Sequence, residues 1–213
     1  MATGLRNFNP DLTRIVAQYL SHQDQLTLFV INQFHHESSK LYRYVKLNIF
    51  NSERFVNDKE FQEHCLSLIN SSSRQLGLDL TACESIIDVR ALGGVHTLCL
   101  RWSQGISDLS GLGGVHSLDL SSCPGISDVS ALGGVHTLDL SGCGGISDVS
   151  ALGGVHSLDL SGCQSISDVS ALRGVHSLVL SDCQGISDVS ALGVVHSLGL
   201  SRCQGIIDVQ QNR

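Results

Sequence analysis

The chain repeats one sequence of twenty residues, almost unchanged, over its C-terminal two thirds. One copy, VHSLDLSGCQSISDVSALRG, spans residues 155–174. Units in the same frame start at residues 75, 95, 115, 135, 155, 175 and 195, without insertions or deletions. A unit this short cannot bury its apolar side chains alone, so neighbouring units must stack on one another. The sequence therefore predicts a solenoid over residues 75–213.

The units carry apolar residues at positions 1, 4, 6, 12, 15 and 18, counted from Val155, except for Gln75 in the first unit and Asn212 in the last, and most copies have cysteine at position 9. The alternation at positions 4 and 6 predicts a short strand, and stacked strands would form a parallel sheet. The return path is too short for a long helix, so we expect 3-10 or turn structure there. Asp168 is predicted to accept a hydrogen bond from the backbone N–H of Ser170 or Ala171. Gly153 and Gly154 are predicted to let the chain turn tightly into the next strand.

The pattern V-x-x-L-x-L-x-x-C resembles the signature of leucine-rich repeats. The C-x-x-I step is similar to the cysteine-containing subclass, and the return I-S-D-V-S-A-L resembles the bacterial internalin type. The resemblance implies an α/β solenoid with its parallel β-sheet on the concave face and turn or 3-10 structure on the convex side. It also implies that the cysteines point inward and bond the loop backbone beneath them. Ser103 takes the place of this cysteine in the second unit.

Residues 1–74 do not fit the repeat and show helical spacing instead. A first helix is predicted after Pro10, and a second helix is predicted to carry Leu26, Phe29, Val30 and Phe34. The stretch 41–49 alternates like a strand, and a third helix is predicted over residues 58–69. A solenoid needs its first apolar face covered, so this helical segment is predicted to cap the array.

The order of these N-terminal pieces resembles an F-box, whose motif combines a proline, an acidic residue and regularly spaced apolar residues. Asn9 and Gln33 depart from that motif, which usually has leucine and a basic residue there. The resemblance implies docking on the Skp-type adaptor of a cullin ubiquitin ligase. The residues that would dock are Pro10, Leu12, Ile15, Val16, Tyr19, Leu20, Leu26, Phe29 and Val30.

These features divide the chain into an F-box-like helical segment at 1–44, a linker and N-terminal cap at 45–74, and the repeat array at 75–213. An F-box-like head before a short array of near-identical repeats also resembles proteins of large DNA viruses that infect amoebae, the marseillevirus group among them. That resemblance implies action inside an infected host cell.

Charge and composition narrow the classes of partner. Residues 75–213 carry 5 basic and 13 acidic residues and no lysine, so we expect no nucleic-acid binding. No apolar run approaches the roughly 18 residues of a membrane span, and no export signal is visible, which favours a cytoplasmic location. The 8 cysteines are then expected to be reduced thiols.

The outward positions of the strands present rows of polar side chains. Position 2 is histidine in six units, position 3 of those units is Ser or Thr, and position 5 is often aspartate. A flat row does not converge on a metal, and no constellation is unique enough for catalysis, so we expect no metal, no cofactor and no enzyme activity. Protonated imidazoles in a row would repel, which makes sensitivity to acid a further hypothesis. The row is predicted to meet a partner through His116, Asp119, His136, Asp139, His156 and Asp159.

Specificity is expected where the repeat is broken. Arg101 stands beside Trp102, the only tryptophan, and these two residue types are frequent interface anchors. Covering the junction between cap and array is the alternative role for Trp102. The sequence therefore predicts a protein-interaction module, an F-box and leucine-rich repeat adaptor that recruits substrates to a ligase. The alternative is a scaffold without adaptor docking, which could self-associate as a homodimer through its C-terminal end.

Overall fold

The computed structural model describes residues 29–31, 43–46, 58–60, 63, 76–84 and 86–206. Within these residues, nine strands form one sheet in chain order. Strands β2 to β9 are parallel, and β1 pairs antiparallel with β2. The strands are β1 Phe29–Ile31, β2 Arg43–Lys46, β3 Leu76–Asp79, β4 Thr97–Cys99, β5 Ser117–Asp119, β6 Thr137–Asp139, β7 Ser157–Asp159, β8 Ser177–Val179 and β9 Ser197–Gly199.

The pairing register follows the repeat without a slip. Leu98 lies opposite Leu118, Leu118 opposite Leu138, and Leu138 opposite Leu158. Identical residues therefore stack along the sheet, and every position of the unit becomes a column. A register shift of one residue would turn the leucines outward, so the apolar pattern fixes this alignment.

The return path of the units is short 3-10 helix or turn, as the sequence predicts. The 3-10 segments in the described residues are Arg90–Leu92, Ser130–Leu132, Ser150–Gly154, Ser170–Gly174 and Ser190–Leu192. The backbone N–H of Ser170 donates to Oδ1 of Asp168 over 2.9 Å, and the equivalent bond joins Ser150 to Asp148 over 2.9 Å. The predicted role of the aspartate at position 14 is confirmed.

The core lies between the sheet and the return path. The six apolar positions predicted to point inward are buried, and the residues of the unit at 155 are at most 1% exposed: Val155, Leu158, Leu160, Ile166, Val169 and Leu172. Complete burial of one such side chain contributes about 1.5–3 kcal/mol. Each unit obtains this burial only from its neighbours, which explains the predicted stacking.

The glycines at positions 19 and 20 act differently from the prediction. The equivalent Gly133 has an ordinary right-handed φ of −60°, so the turn does not need a glycine's conformational freedom. A Cβ on Gly133 would instead lie 2.5 Å from the carbonyl oxygen of Ala151 in the next unit. These glycines therefore serve close approach between neighbouring units.

The N-terminal prediction is wrong at one element. Phe29–Ile31 is strand β1, whereas the sequence predicted a helix there. The run Phe-Val-Ile combines an aromatic with two β-branched residues, and pairing with β2 satisfies its backbone, which outweighs the weak helical spacing. The strand predicted within 41–49 is confirmed as β2, and Lys59, Glu60 and Glu63 are helical, as predicted for the third helix. The first predicted helix lies outside the described residues.

Candidate functional site

The six histidines at position 2 form a continuous stack along the concave face. Centroids of neighbouring rings lie 4.4–4.6 Å apart from His96 to His196. Four of the five pairs have interplanar angles between 6° and 12°, and His116 and His136 are tilted by 31°. The carbonyl oxygen of His96 accepts hydrogen bonds from the N–H groups of both His116 and Ser117, over 3.0 and 2.9 Å. This backbone bonding recurs between units and sets the ring spacing.

The stack geometry is unfavourable for a shared metal. A metal bound by two imidazole nitrogens at about 2.1 Å holds them at most about 4.2 Å apart. The ring centroids lie 4.4–4.6 Å apart and four of the five pairs are near parallel, so the rings stack face to face instead of converging on one point. Among the described residues, no group of three or more His, Cys, Asp or Glu is placed to hold a metal ion.

The aspartates at position 5 form a second column, bonded to their own strands. Oδ1 of Asp119 accepts from the N–H of Ser121 over 3.0 Å and from its hydroxyl over 2.7 Å. In the same way, Oδ1 of Asp139 accepts a hydrogen bond from the N–H of Ser141 over 2.9 Å, and Oδ1 of Asp159 accepts one from the N–H of Ser161 over 2.8 Å. These bonds hold the carboxylates in the sheet surface beside the stack.

Two residues of the second unit, Cys99 and Arg101, depart from the repeat and cluster around Asp119 of the third unit. Oδ2 of Asp119 lies 3.6 Å from Nε of Arg101 and 3.8 Å from Sγ of Cys99. Sγ of Cys99 also lies 3.2 Å from Oγ1 of Thr81, and burial raises the pKa of this thiol. Cys99 is therefore a weak nucleophile that bridges two units.

Trp102 is the largest exposed apolar side chain of this cluster. It is 51% exposed, and the guanidinium carbon of Arg101 lies 5.3 Å from its ring centroid. Its backbone has a φ of +59°, a left-handed conformation that costs a non-glycine residue about 1–2 kcal/mol. Its N–H donates to the carbonyl oxygen of Ser121 over 3.0 Å, which holds this conformation. About half of the surface of Trp102 is therefore open to solvent.

Left-handed backbone at position 8 recurs in every unit, a feature that sequence reasoning missed. Only Gly142 and Gly162 relieve it, while the described non-glycine residues there are Ala82, Trp102, Ser122, Asp182 and Arg202. The two glycines were the available signal, because glycine readily adopts positive φ.

The cysteines at position 9 point inward, as the resemblance implied. Sγ of Cys143 donates to the carbonyl oxygen of Leu120 in the preceding unit over 3.2 Å, and Cys163 bonds Leu140 over 3.3 Å. Burial raises the pKa of Cys143 to about 11 and that of Cys163 to about 12. Both are thiols outside any disulfide, and their raised pKa makes them structural groups without nucleophilic character.

The other candidate residues fall in two groups. Arg101, Trp102 and the His and Asp columns share one outward surface, which we call the concave face: positions 2, 3, 5, 7 and 8 of the units. Two of the predicted adaptor-docking residues, Phe29 and Val30, lie in β1. The others lie outside the described residues: Pro10, Leu12, Ile15, Val16, Tyr19, Leu20 and Leu26.

No helix in the described part of the chain has the length and hydropathy of a membrane-spanning segment.

The columns, the inward cysteine and the short return path define a leucine-rich repeat solenoid. A family model for the leucine-rich repeat matches residues 155–172. The crystal structure of the internalin InlF from Listeria monocytogenes is similar, with a TM-score of 0.51 and 23% identity over 69% of this chain. The match covers 50% of InlF, so this chain spans about half of that protein's length.

Two further Listeria monocytogenes structures are similar to this chain. Internalin C2 has 25% identity and a TM-score of 0.47, and the match covers 63% of this chain and 64% of that protein. The functional domain of InlJ, which includes a cysteine ladder, has 14% identity and a TM-score of 0.35 over 65% of this chain and 40% of that one. No curated protein matches the sequence.

Proposed function

We propose that this protein is a non-enzymatic scaffold that binds a partner protein through its concave face. The observation that carries the proposal is the half-exposed Trp102 on a strained backbone, stacked by Arg101 beside columns of polar side chains. Tryptophan and arginine dominate the energetics of many interfaces, surrounded by polar contacts of smaller effect. The contacting set comprises Arg101, Trp102, His116, Asp119, His136, Asp139, His156 and Asp159.

The test is a comparison of two variants that make the same backbone change. Trp102→Gly removes the indole and relieves the positive φ, while Ser122→Gly relieves the same strain in the next unit and leaves the indole in place. We expect a partner retained by the wild type and Ser122→Gly to bind Trp102→Gly at least about tenfold more weakly. Equal retention by all three proteins would refute the anchoring role.

The partner class that the N-terminal resemblance supports is a Skp-type adaptor of a cullin ubiquitin ligase, which would make the protein a substrate-recruiting subunit in the cytoplasm. The resemblance to proteins of amoeba-infecting viruses would place this activity in an infected host cell. Because β1 includes Phe29 and Val30 in the sheet, docking would depend on Pro10 to Leu26. We expect the wild type to bind the adaptor and a Leu12→Asp/Ile15→Asp variant to lose binding. No binding by the wild type, or equal binding by the variant, would refute docking.

A second candidate function is self-association through the array near β9. Leu198 is 36% exposed, whereas the stacked Leu178 is 0% exposed, and Val194 is 78% exposed. An exposed apolar strand edge favours pairing with another copy. Light scattering should then show a concentration-dependent dimer that Leu198→Asp abolishes. A wild type that stays monomeric at high concentration would refute this function.

A further inference from the structure

The imidazole stack places six titratable groups closer together than their charged forms favour. Neighbouring centroids are 4.4–4.6 Å apart, while alternate rings lie about twice that distance apart. Two imidazolium ions at this spacing repel each other even in water, and the repulsion is stronger near a protein surface. Neutral rings, or a neutral ring beside a charged one, carry no such penalty.

The groups around the stack offset this repulsion only in part. Position 3 of the same strands is Ser or Thr, which is uncharged, and the next outward position carries Asp79, Asp119, Asp139 and Asp159. Asp119 also faces Arg101. The two residues before each Val-His pair are mostly glycine, which carries no charge, and Arg173 is the only charged residue at these positions.

His96, at one end of the stack, is less easily protonated than a free histidine, mainly because it is partly buried. The pKa of His96 is lowered by burial and, to a smaller extent, by the neighbouring His116. His96 is also half-buried and lies 3.2 Å, through Nδ1, from Oγ1 of Thr97. A lowered pKa in the folded state means that the folded chain binds fewer protons than the unfolded chain as the solution becomes acidic. Stability is therefore present above about pH 6.5 and is lost as the pH falls through the folded pKa.

We propose that the stack is an acid-responsive switch that takes up protons on alternate rings first, and that full protonation separates the rings and reverses the charge of the concave face. The described part of this face carries five carboxylates, including Asp182, and two guanidiniums, Arg101 and Arg202, so it is negative while the stack is neutral. Protonation of all six rings would add six positive charges, which outnumber the excess of three negative charges (five carboxylates against two guanidiniums). Because this face is the binding surface proposed above, acid regulation of a partner rests on the proposed function, whereas the titration itself does not.

The test is a site-resolved NMR titration of the histidine side chains of the full chain from pH 8 to 4.5, with melting temperatures over the same range. We expect the stack to titrate in two stages, with alternate rings protonated before the rings between them. We also expect the melting temperature to fall between pH 7.5 and 5. His136→Asn removes one ring, so the rings of His116 and His156 each lose a neighbour. This variant should titrate over a narrower range and lose less melting temperature than the wild type.

Thr137→Asn is the matched control, since it changes the adjacent outward position and leaves the stack intact. It should show the two-stage titration and the full loss of melting temperature on acidification. Each variant is compared with itself at two pH values, so a general loss of stability does not affect the result. Independent titration of the six histidines in one stage, or the same acid response in His136→Asn and the wild type, would overturn the switch. Either result would leave partner binding through Trp102 unaffected.

Discussion

Ser103 offers the sharpest test of how the cysteine column stabilises the solenoid. In five other units, Sγ donates to the leucine carbonyl oxygen 23 residues earlier over 2.9–3.3 Å. Ser103 occupies the same position, is 0% exposed, and its hydroxyl has no hydrogen-bond partner. A C–O bond is shorter than a C–S bond, so the hydroxyl falls short of the carbonyl oxygen of Leu80, the residue in register.

Replacing Ser103 with cysteine should therefore stabilise the protein. An unsatisfied buried hydroxyl costs about 1–3 kcal/mol, and Ser103→Cys removes that cost and adds a hydrogen bond. For a chain of this size, about 1 kcal/mol corresponds to roughly 2–4 °C in melting temperature. We expect Ser103→Cys to raise the melting temperature by about 2–12 °C under reducing conditions, measured by circular dichroism. Cys143→Ser, the reverse change in a regular unit, should lower it by a similar amount.

Ser103→Ala distinguishes the missing bond from the missing volume. It removes the unpaired hydroxyl without filling the site, so it should be at least as stable as the wild type, whereas Cys143→Ala should be destabilised. A less stable Ser103→Ala protein would show that the hydroxyl is bonded. A Ser103→Cys protein no more stable than the wild type would refute the stated role of the column.

Three further predictions follow from the described contacts. Trp102→Gly should melt at or slightly above the wild-type temperature because it relieves a left-handed backbone; a large loss in thermal denaturation would mean that the indole is mainly a packing group. Asp148→Ala should lower the melting temperature at pH 7, because the hydrogen bonds to Ser150 that lower the pKa of Asp148 are lost. The hydrogen bond from Arg90 lowers the pKa of Asp88 to about 2, so the wild type should lose stability below about pH 4 as these carboxylates take up protons. An unchanged melting temperature between pH 4 and 2 would contradict this. Cys163, whose pKa is about 12, should resist an aromatic disulfide reagent at pH 8 until the chain is denatured, and rapid labelling of the native protein would exclude the burial described.

The repeat sequence alone predicted the solenoid and its parallel sheet because the same apolar pattern occurs in seven units, while the inward cysteines were implied by the resemblance to leucine-rich repeats. An error in one unit would conflict with the other six, so a single interpretation satisfies all of them. The role of Asp168 was predictable for a similar reason, since an aspartate two residues before a turn's N–H has one short-range use.

The N-terminal strand and the ring stacking were less accessible to sequence reasoning. β1 is a three-residue strand whose pairing with β2 is a tertiary contact, and its apolar spacing also fits a helix. The histidine column was predicted, but the parallel orientation of its rings depends on side-chain rotamers that no periodicity encodes. Trp102 was singled out for its rarity, while its strained backbone emerges only from the structure.

The uniform register has a consequence for how such a surface can change. Deleting residues 135–154 would bring His116 opposite His156 and Leu118 opposite Leu158, the same partners by type that each now has. Duplication of one unit would likewise lengthen the face by one ring spacing, 4.4–4.6 Å, without a new kind of contact in the core. The length of the binding surface therefore changes in steps of one unit. The cluster at Arg101 and Trp102 lies in the second unit, so it stays in place when later units are added or removed.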